Sequence, residues 1–125
     1  MTDRMLRAID NPHVDVIGHL TGRLLLKREP YPVDVVRIMT AAATQGVALE
    51  INSEVDRLDL NDIHARIARD RGIPILISSD AHSERGLDVL QWGVIVARRA
   101  WLGPEHVLNT RPFENFRAAL RRNRR

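Results

Sequence analysis

The chain has 125 residues, of which 44% are apolar and 28% are charged, so its composition is that of one globular domain and excludes disorder over most of its length. It has no cysteine, which excludes disulfides, thiolate zinc sites and cysteine nucleophiles. The net charge of +3 comes from the C-terminus, since residues 111–125 carry six arginines against one glutamate and the rest of the chain is slightly acidic.

Three β-branched, apolar runs predict short buried strands near residues 14–20, 47–52 and 73–78. Between them, apolar residues at helical spacing predict helices from Pro32 or Val33 to Gly46 and from Leu60 to Arg71. Beyond Ser83 the pattern is helical, ending near Arg122. The order β, α, β, α, β with short connections predicts an α/β fold with parallel strands joined by right-handed crossovers.

The two ends of the chain carry little functional information. We expect the last residues, 121–125, to form a solvated basic tail, and the alternative is that its arginines contact phosphates. No apolar run approaches the roughly 20 residues of a membrane span, and charged residues interrupt the N-terminus where a signal peptide would be apolar. We therefore expect a cytoplasmic protein with no membrane partner.

Polar side chains stand at the end of each predicted strand. His19 ends the first strand, Glu50 and Asn52 lie on the second, and Asp80 and His82 follow the third. The carboxyl ends of parallel strands meet at one edge of the sheet, where α/β proteins place their chemistry. A carboxylate and imidazoles are ligands for Zn²⁺, Mn²⁺ or Fe²⁺, and such an ion lowers the pKa of its bound water to about 7.

Each of these residues also has a purely structural interpretation. Asp80 can cap the following helix with His82 half exposed in a turn, and His19 can be a loop histidine whose ring bonds a backbone carbonyl. Glu50, in an otherwise apolar strand, is either a supporting group of the site or half of an ion pair with an arginine.

Other polar residues fit the site less well. Arg23 can bind a phosphate in bidentate fashion or pair with Glu29 in solution. His13 lies at the wrong end of its strand, and His64 and His106 lie among charged residues on or beside helices, so we expect surface or packing roles for all three. No glycine-rich phosphate loop or nucleophilic serine motif is present.

The motifs together resemble the PHP (polymerase and histidinol phosphatase) domain of bacterial family X DNA polymerases with 3′–5′ exonuclease activity. The resemblance covers nearly the whole chain in the right order. It rests on NPHVDVIGHLTGR at 11–23, ALEIN at 48–52, DRLDLNDIHARIARDRGI at 56–73, SSDAHS at 78–83, GVIVARRAW at 93–101 and VLNT at 107–110.

The resemblance implies the C-terminal half of a distorted (βα)7 barrel, so that residues 1–125 form a single, partial PHP-type domain. In the complete protein such a domain holds divalent metals and hydrolyses phosphodiester bonds at DNA 3′ ends beside the polymerase. At matching positions it implies metal ligands at His19, Asp80 and His82, supporting residues at Glu50 and Asn52, and a substrate-phosphate contact at Arg23. The identity of the metal stays open between Mn²⁺, Zn²⁺ and Fe²⁺.

The chain departs from the family pattern at its start. The family's first His-x-His motif and its intermediate ligands belong upstream of Asn11, where only ten residues without histidine or glutamate are present. We therefore expect a fragment that lacks enough ligands for catalysis alone and that pairs with the missing N-terminal half of the barrel or forms a homodimer. The alternatives are a non-catalytic lobe that contacts DNA and a fragment of a histidinol-phosphatase-like phosphomonoesterase.

Overall fold

A three-stranded parallel sheet with helices packed against it forms the frame of the molecule. The computed structural model describes residues 1–123. Its strands are β1 (Val16–Ile17), β2 (Ala48–Asn52) and β3 (Ile75–Ser78), and its helices are α1 (Thr2–Asp10), α2 (Val35–Gln45), α3 (Asp62–Asp70), α4 (Leu90–Arg99) and α5 (Phe113–Ala119). Short 3₁₀ turns span Glu84–Val89, Pro104–His106, Leu108–Thr110 and Arg121–Asn123.

The sheet confirms the predicted α/β class. Its strand order is β1-β2-β3, and both pairs are parallel. Val16 lies opposite Ala48, and Asn52 lies opposite Ser78. Three parallel strands with helices between them are consistent with a partial α/β barrel, whereas seven strands are not seen in residues 1–123.

Local sequence signals fix the two crossover helices. The Asp34 side chain accepts a hydrogen bond from the N–H of Arg37 at 3.0 Å and caps α2, which ends at Gly46 in the left-handed conformation. Asn61 caps α3 in the same way through the N–H of His64 at 2.8 Å. Both helices then bury apolar side chains against the sheet, including Ile38, Met39, Ala42, Ala65 and Ala68. No helix within residues 1–123 is long and apolar enough to cross a membrane.

The outer edge of β3 forms hydrogen bonds with a side-chain amide in place of a neighbouring strand. The Asn109 amide accepts a hydrogen bond from the N–H of Ile77 at 3.1 Å and donates one to the carbonyl of the same residue at 2.7 Å. Ile75 also forms an isolated parallel bridge with Val107. These contacts satisfy backbone groups that would otherwise be open to pairing with another chain.

The first helix is not predicted by the sequence pattern. Helix α1 is short and polar, but it packs against α2 and buries Ile9 completely. Tertiary packing of this one apolar face, and not helix propensity, accounts for its stability.

The first two residues of the basic tail are hydrogen-bonded to the body of the protein, although the Arg122 side chain stays exposed. Nη1 of Arg121 donates to the carbonyl of Ile9 at 2.6 Å, and the backbone N–H and Nε of Arg122 donate to the buried Asp15 carboxylate at 3.0 and 2.5 Å. A buried carboxylate requires a partner, and the tail supplies it. Arg124 and Arg125 lie outside the described residues.

Candidate functional site

The structure brings Glu50, Asn52 and Asp80 into one hydrogen-bonded network at the carboxyl edge of the sheet. Nδ2 of Asn52 donates to Oδ2 of Asp80 at 3.0 Å and lies 3.4 Å from Oε2 of Glu50. The strand ends explain this proximity, because Asn52 closes β2 and Asp80 follows β3 by two residues. Asn52 is fully buried, so its amide orients the Asp80 carboxylate.

Glu50 connects the network to the loop that follows β1. Its Oε2 accepts a hydrogen bond from the backbone N–H of His19 at 2.6 Å, and its Oε1 accepts one from the Ser78 hydroxyl. Within residues 1–123 it forms no ion pair with an arginine, so the ion-pair interpretation does not hold. Its contacts are those of a residue that positions its neighbours.

Two of the predicted ligands have unusual backbone conformations. His19 has a φ of 28° and Asp80 a φ of 55°, in the left-handed region that non-glycine residues seldom adopt. Strained positions of this kind cluster at functional sites. The Asp80 side chain bonds Asn52 and does not cap the following 3₁₀ turn, so the capping interpretation is wrong.

The structure does not group His19, Asp80 and His82 as three metal ligands. No set of three histidine, aspartate or glutamate side chains within residues 1–123 is close enough to hold a metal ion. His19 and His82 are both exposed, and neither ring makes a hydrogen bond to another described residue. The Asp80 carboxylate is paired with Arg57, whose Nε lies 3.4 Å from its Oδ2. The described residues therefore do not by themselves fit a metal centre.

Arg57 is the residue that sequence reasoning missed. It lies in the loop between β2 and α3, and its side chain is 23% exposed. Its Nη1 is buried and has no hydrogen-bond partner among the described residues, so this nitrogen is a free donor beside Asp80. The DRLDLN segment contributes only to the family resemblance, and nothing in the sequence indicates where this side chain points.

Arg23, for which a substrate-phosphate contact is predicted, bonds two backbone carbonyls of the loop that carries Arg57. Its Nε donates to the carbonyl of Arg57 at 2.8 Å and its Nη2 donates to the carbonyl of Leu58. It forms no ion pair with Glu29 in the part of the chain that the structure describes. These contacts hold the turn that carries Arg57.

A buried carboxylate fixes the loop that begins at His19. Oδ2 of Asp59 accepts hydrogen bonds from the N–H and hydroxyl of Thr21, each at 2.9 Å, and from the N–H of Gly22 at 3.0 Å. Gly22 has a φ of 62°, and a Cβ there would lie 2.0 Å from the Tyr31 ring, so only glycine fits. The loop after β1 is therefore rigid.

The remaining histidines have structural surroundings. Burial lowers the pKa of His64 below its ordinary value of 6.5, an effect that nearby Asp59 opposes and Arg23 reinforces. Nδ1 of His106 accepts a hydrogen bond from the N–H of Gly103 at 2.9 Å. His13 is exposed.

A cleft of about 430 Å³ opens beside the network. The residues that line it include His19, Arg57, Arg4, Arg28 and Tyr31. Arg28 also stacks over the Tyr31 ring at 5.3 Å from its centroid. No carboxylate of residues 1–123 lines this cleft. Cationic side chains on low-dielectric walls concentrate anions, so the cleft favours a negatively charged ligand such as a phosphate ester.

The chain is similar to several known bacterial proteins. It is 38% identical over 120 residues, 96% of its length, to the DNA polymerase/3′-5′ exonuclease PolX of Bacillus subtilis (strain 168), of which it covers 21%. It is 30% identical over 115 residues to a probable phosphatase of Thermoanaerobacter sp. (strain X514), of which it covers 44%. It is also 34% identical over 87 residues to a probable phosphatase of Shewanella sp. (strain ANA-3), and these residues are 32% of the length of that phosphatase.

These similarities confirm the resemblance drawn from the motifs. The chain spans about a fifth of the polymerase and less than half of each of these phosphatases. No family model matches the chain.

Proposed function

We propose that the chain supplies one part of a phosphoesterase site. The chain is a relative of the PolX enzymes and of the probable phosphatases, and it matches the C-terminal part of a PHP-type domain. In the complete protein this site hydrolyses phosphodiester bonds at DNA 3′ ends beside a family X polymerase. Two classes of relative, one named as an exonuclease and the other as phosphatases, share phosphate-ester chemistry. That common chemistry is what the proposal transfers to this chain.

The observation that carries the proposal is the Asp80 carboxylate held between Asn52 and Arg57 beside the cationic cleft. Phosphoryl transfer depends mainly on positioning and on stabilising the negative charge of the phosphoryl oxygens. Arg57 lines the cleft, and its guanidinium supplies a positive charge there for a phosphate oxygen. Asn52 and Glu50 fix the orientation of Asp80 and of the His19 backbone, so the edge is preorganised before a ligand arrives.

His19, Asp80 and His82 remain our proposed metal ligands, with Glu50 and Asn52 as supporting residues. Three side chains can hold one ion, but these three are not clustered in the described residues. A metal centre in the complete protein would need further donors. We therefore derive no catalytic step through a metal.

The test is Asp80→Asn in the native protein that contains this chain. Hydrolysis of an oligodeoxynucleotide 3′ end and of p-nitrophenyl phosphate should fall by at least about 100-fold, since Asp80 is a proposed metal ligand and its carboxylate also pairs with Arg57 at the site. Asn52→Ala should cost about 10- to 100-fold through loss of orientation. Asp56→Asn, which alters a half-exposed carboxylate outside the network, is the matched control and should keep full activity.

Calorimetric titration of the chain with Mn²⁺ or Zn²⁺ tests the ligands separately. Binding near one ion per chain that disappears in the Asp80→Asn, His82→Ala double variant would support them, whereas no binding would remove them from the proposal. Unchanged hydrolysis by a folded Asp80→Asn variant would contradict the phosphoesterase assignment itself.

A further inference from the structure

An exposed tryptophan directly follows helix α4. Trp101 is 72% exposed and has a φ of 63°, so its large apolar ring stands in solvent at a conformation that few side chains adopt. Two hydrogen bonds hold its backbone there: its N–H donates to the carbonyl of Arg98 at 3.0 Å, and its carbonyl accepts from Nη1 of Arg69 at 2.9 Å. The ring is presented by a fixed backbone.

An arginine from the neighbouring helix stacks on this ring. The guanidinium of Arg66 lies 5.7 Å from the centroid of Trp101, within the range of a cation–π contact. Nη2 of Arg66 also donates to the carbonyl of Arg99 at 3.1 Å. Arg66 therefore satisfies the last carbonyl of α4, which has no intrahelical partner, and Arg69 satisfies the carbonyl of Trp101 beyond the helix. Together they place two positive charges beside the indole.

The surface around the ring is basic. We define the α3–α4 surface by Trp101, Arg66, Arg69, Arg98 and Arg99. Asp70 pairs with Arg69 at 2.7 Å, and Asp62 pairs with Arg99 at 3.2 Å. Arg66 and Arg98 have no carboxylate partner within residues 1–123, so the surface keeps an excess of positive charge.

We propose that the α3–α4 surface binds single-stranded nucleic acid by stacking a base on Trp101 and pairing phosphates with Arg66 and Arg98. Stacking on an aromatic ring combined with arginine contacts to the backbone is how proteins hold single strands without reading their sequence. A base inside a duplex has both faces covered and cannot stack on the indole. A second copy of this chain would bring a like-charged surface against it, and the charges oppose that contact.

This site is separate from the candidate active site and involves none of its residues. It therefore does not depend on the proposed phosphoesterase function, and Asp80→Asn should bind as the unaltered protein does. The assay is fluorescence anisotropy of a labelled oligothymidylate in EDTA, which measures binding without hydrolysis. We expect Trp101→Ala to raise the Kd by at least about fivefold, the lower bound for losing one stacked base, and Trp101→Phe to retain most of the affinity.

The charge contribution has its own readout. Each phosphate contact on a single strand contributes about 0.7 to the slope of log K against log salt concentration, so Arg98→Ala should reduce that slope by about 0.7. Arg111→Ala removes an exposed arginine elsewhere on the chain and should leave the slope unchanged. In the Trp92→Phe variant, the remaining tryptophan emission comes from Trp101 and should be quenched at saturation.

Three results would overturn the proposal. The first is no binding at low salt, and the second is a Trp101→Ala variant, folded by circular dichroism, that binds with unchanged Kd. The third is an equal decrease in the slope of log K against log salt concentration for Arg98→Ala and Arg111→Ala. That result would show that any exposed arginine contributes equally to phosphate binding. A shift to a dimer in sedimentation, with no oligonucleotide binding, would assign the surface to a second copy of the chain instead.

Discussion

Replacing Asp59 with alanine should remove a large part of the stability of the fold. Asp59 is fully buried, and its Oδ2 accepts three hydrogen bonds from Thr21 and Gly22. Alanine would leave the N–H and the hydroxyl of Thr21 without an acceptor at a buried position, whereas the N–H of Gly22 keeps its hydrogen bond to the carbonyl of His19 at 2.9 Å. Each buried donor left unsatisfied costs about 1–3 kcal/mol, and partial access of water to the new space reduces the sum, so we expect a loss of about 2–4 kcal/mol.

The same position distinguishes charge from geometry. Asp59→Asn keeps one oxygen that can accept from Thr21 and Gly22 but loses the negative charge, so we expect it to cost about 1–2 kcal/mol, less than alanine. Asp56→Ala is the matched control, because the Asp56 carboxylate is 51% exposed and, within residues 1–123, its side chain pairs with Lys27 alone, at 2.6 Å. An exposed ion pair of this kind contributes at most about 1 kcal/mol.

Urea denaturation followed by circular dichroism gives the required free energies of unfolding. The order Asp59→Ala, Asp59→Asn, Asp56→Ala, from most to least destabilised, is the expected outcome. If Asp59→Ala and Asp56→Ala lost equal amounts, the three hydrogen bonds to Asp59 would not restrain the loop, and the rigid geometry inferred for His19 would have no support.

Two further predictions concern pH and the sheet edge. Burial holds the pKa of His64 below 6.5 in the folded chain. As the pH falls below 6.5, the unfolded chain therefore binds more protons at this residue than the folded chain does. The stability that is present above pH 6.5 should be lost as the pH falls through the lowered pKa of His64. His64→Leu should flatten this part of the pH profile of the unfolding free energy, while the exposed His13→Gln should not. Asn109→Ala removes both hydrogen bonds to Ile77 and should cost about 1–3 kcal/mol in urea unfolding, with more self-association on gel filtration than Asn115→Ala on α5.

The strands could be predicted from the sequence, whereas the first helix could not. Strands in a parallel sheet are covered on both faces and so appear as continuous apolar runs, and β2 and β3 lie inside the predicted runs. Helix α1 has charged residues at four of its nine positions, and its stability depends on burying Ile9 against distant parts of the chain. Contacts of that kind leave no periodic signal in so short a segment.

The same difference separates the predictable and unpredictable parts of the site. Asn52 and Asp80 could be placed together because neighbouring parallel strands end at the same edge, and the 3.0 Å hydrogen bond between them follows from that topology. The two arginines could not be distinguished, because each lies in a loop where side-chain direction depends on the turn. Arg23 is closer in sequence to His19, yet its guanidinium bonds the carbonyls of Arg57 and Leu58.

Arg57 is thereby held where its own guanidinium reaches Asp80. The two arginines therefore have different roles: Arg23 stabilises the turn, and Arg57 lines the cleft next to Asp80. Arg57→Lys would keep the charge but lose the planar fork that can contact Asp80 and a phosphate oxygen together. The position of Arg57 beside the cleft therefore depends on a contact that only the folded chain reveals.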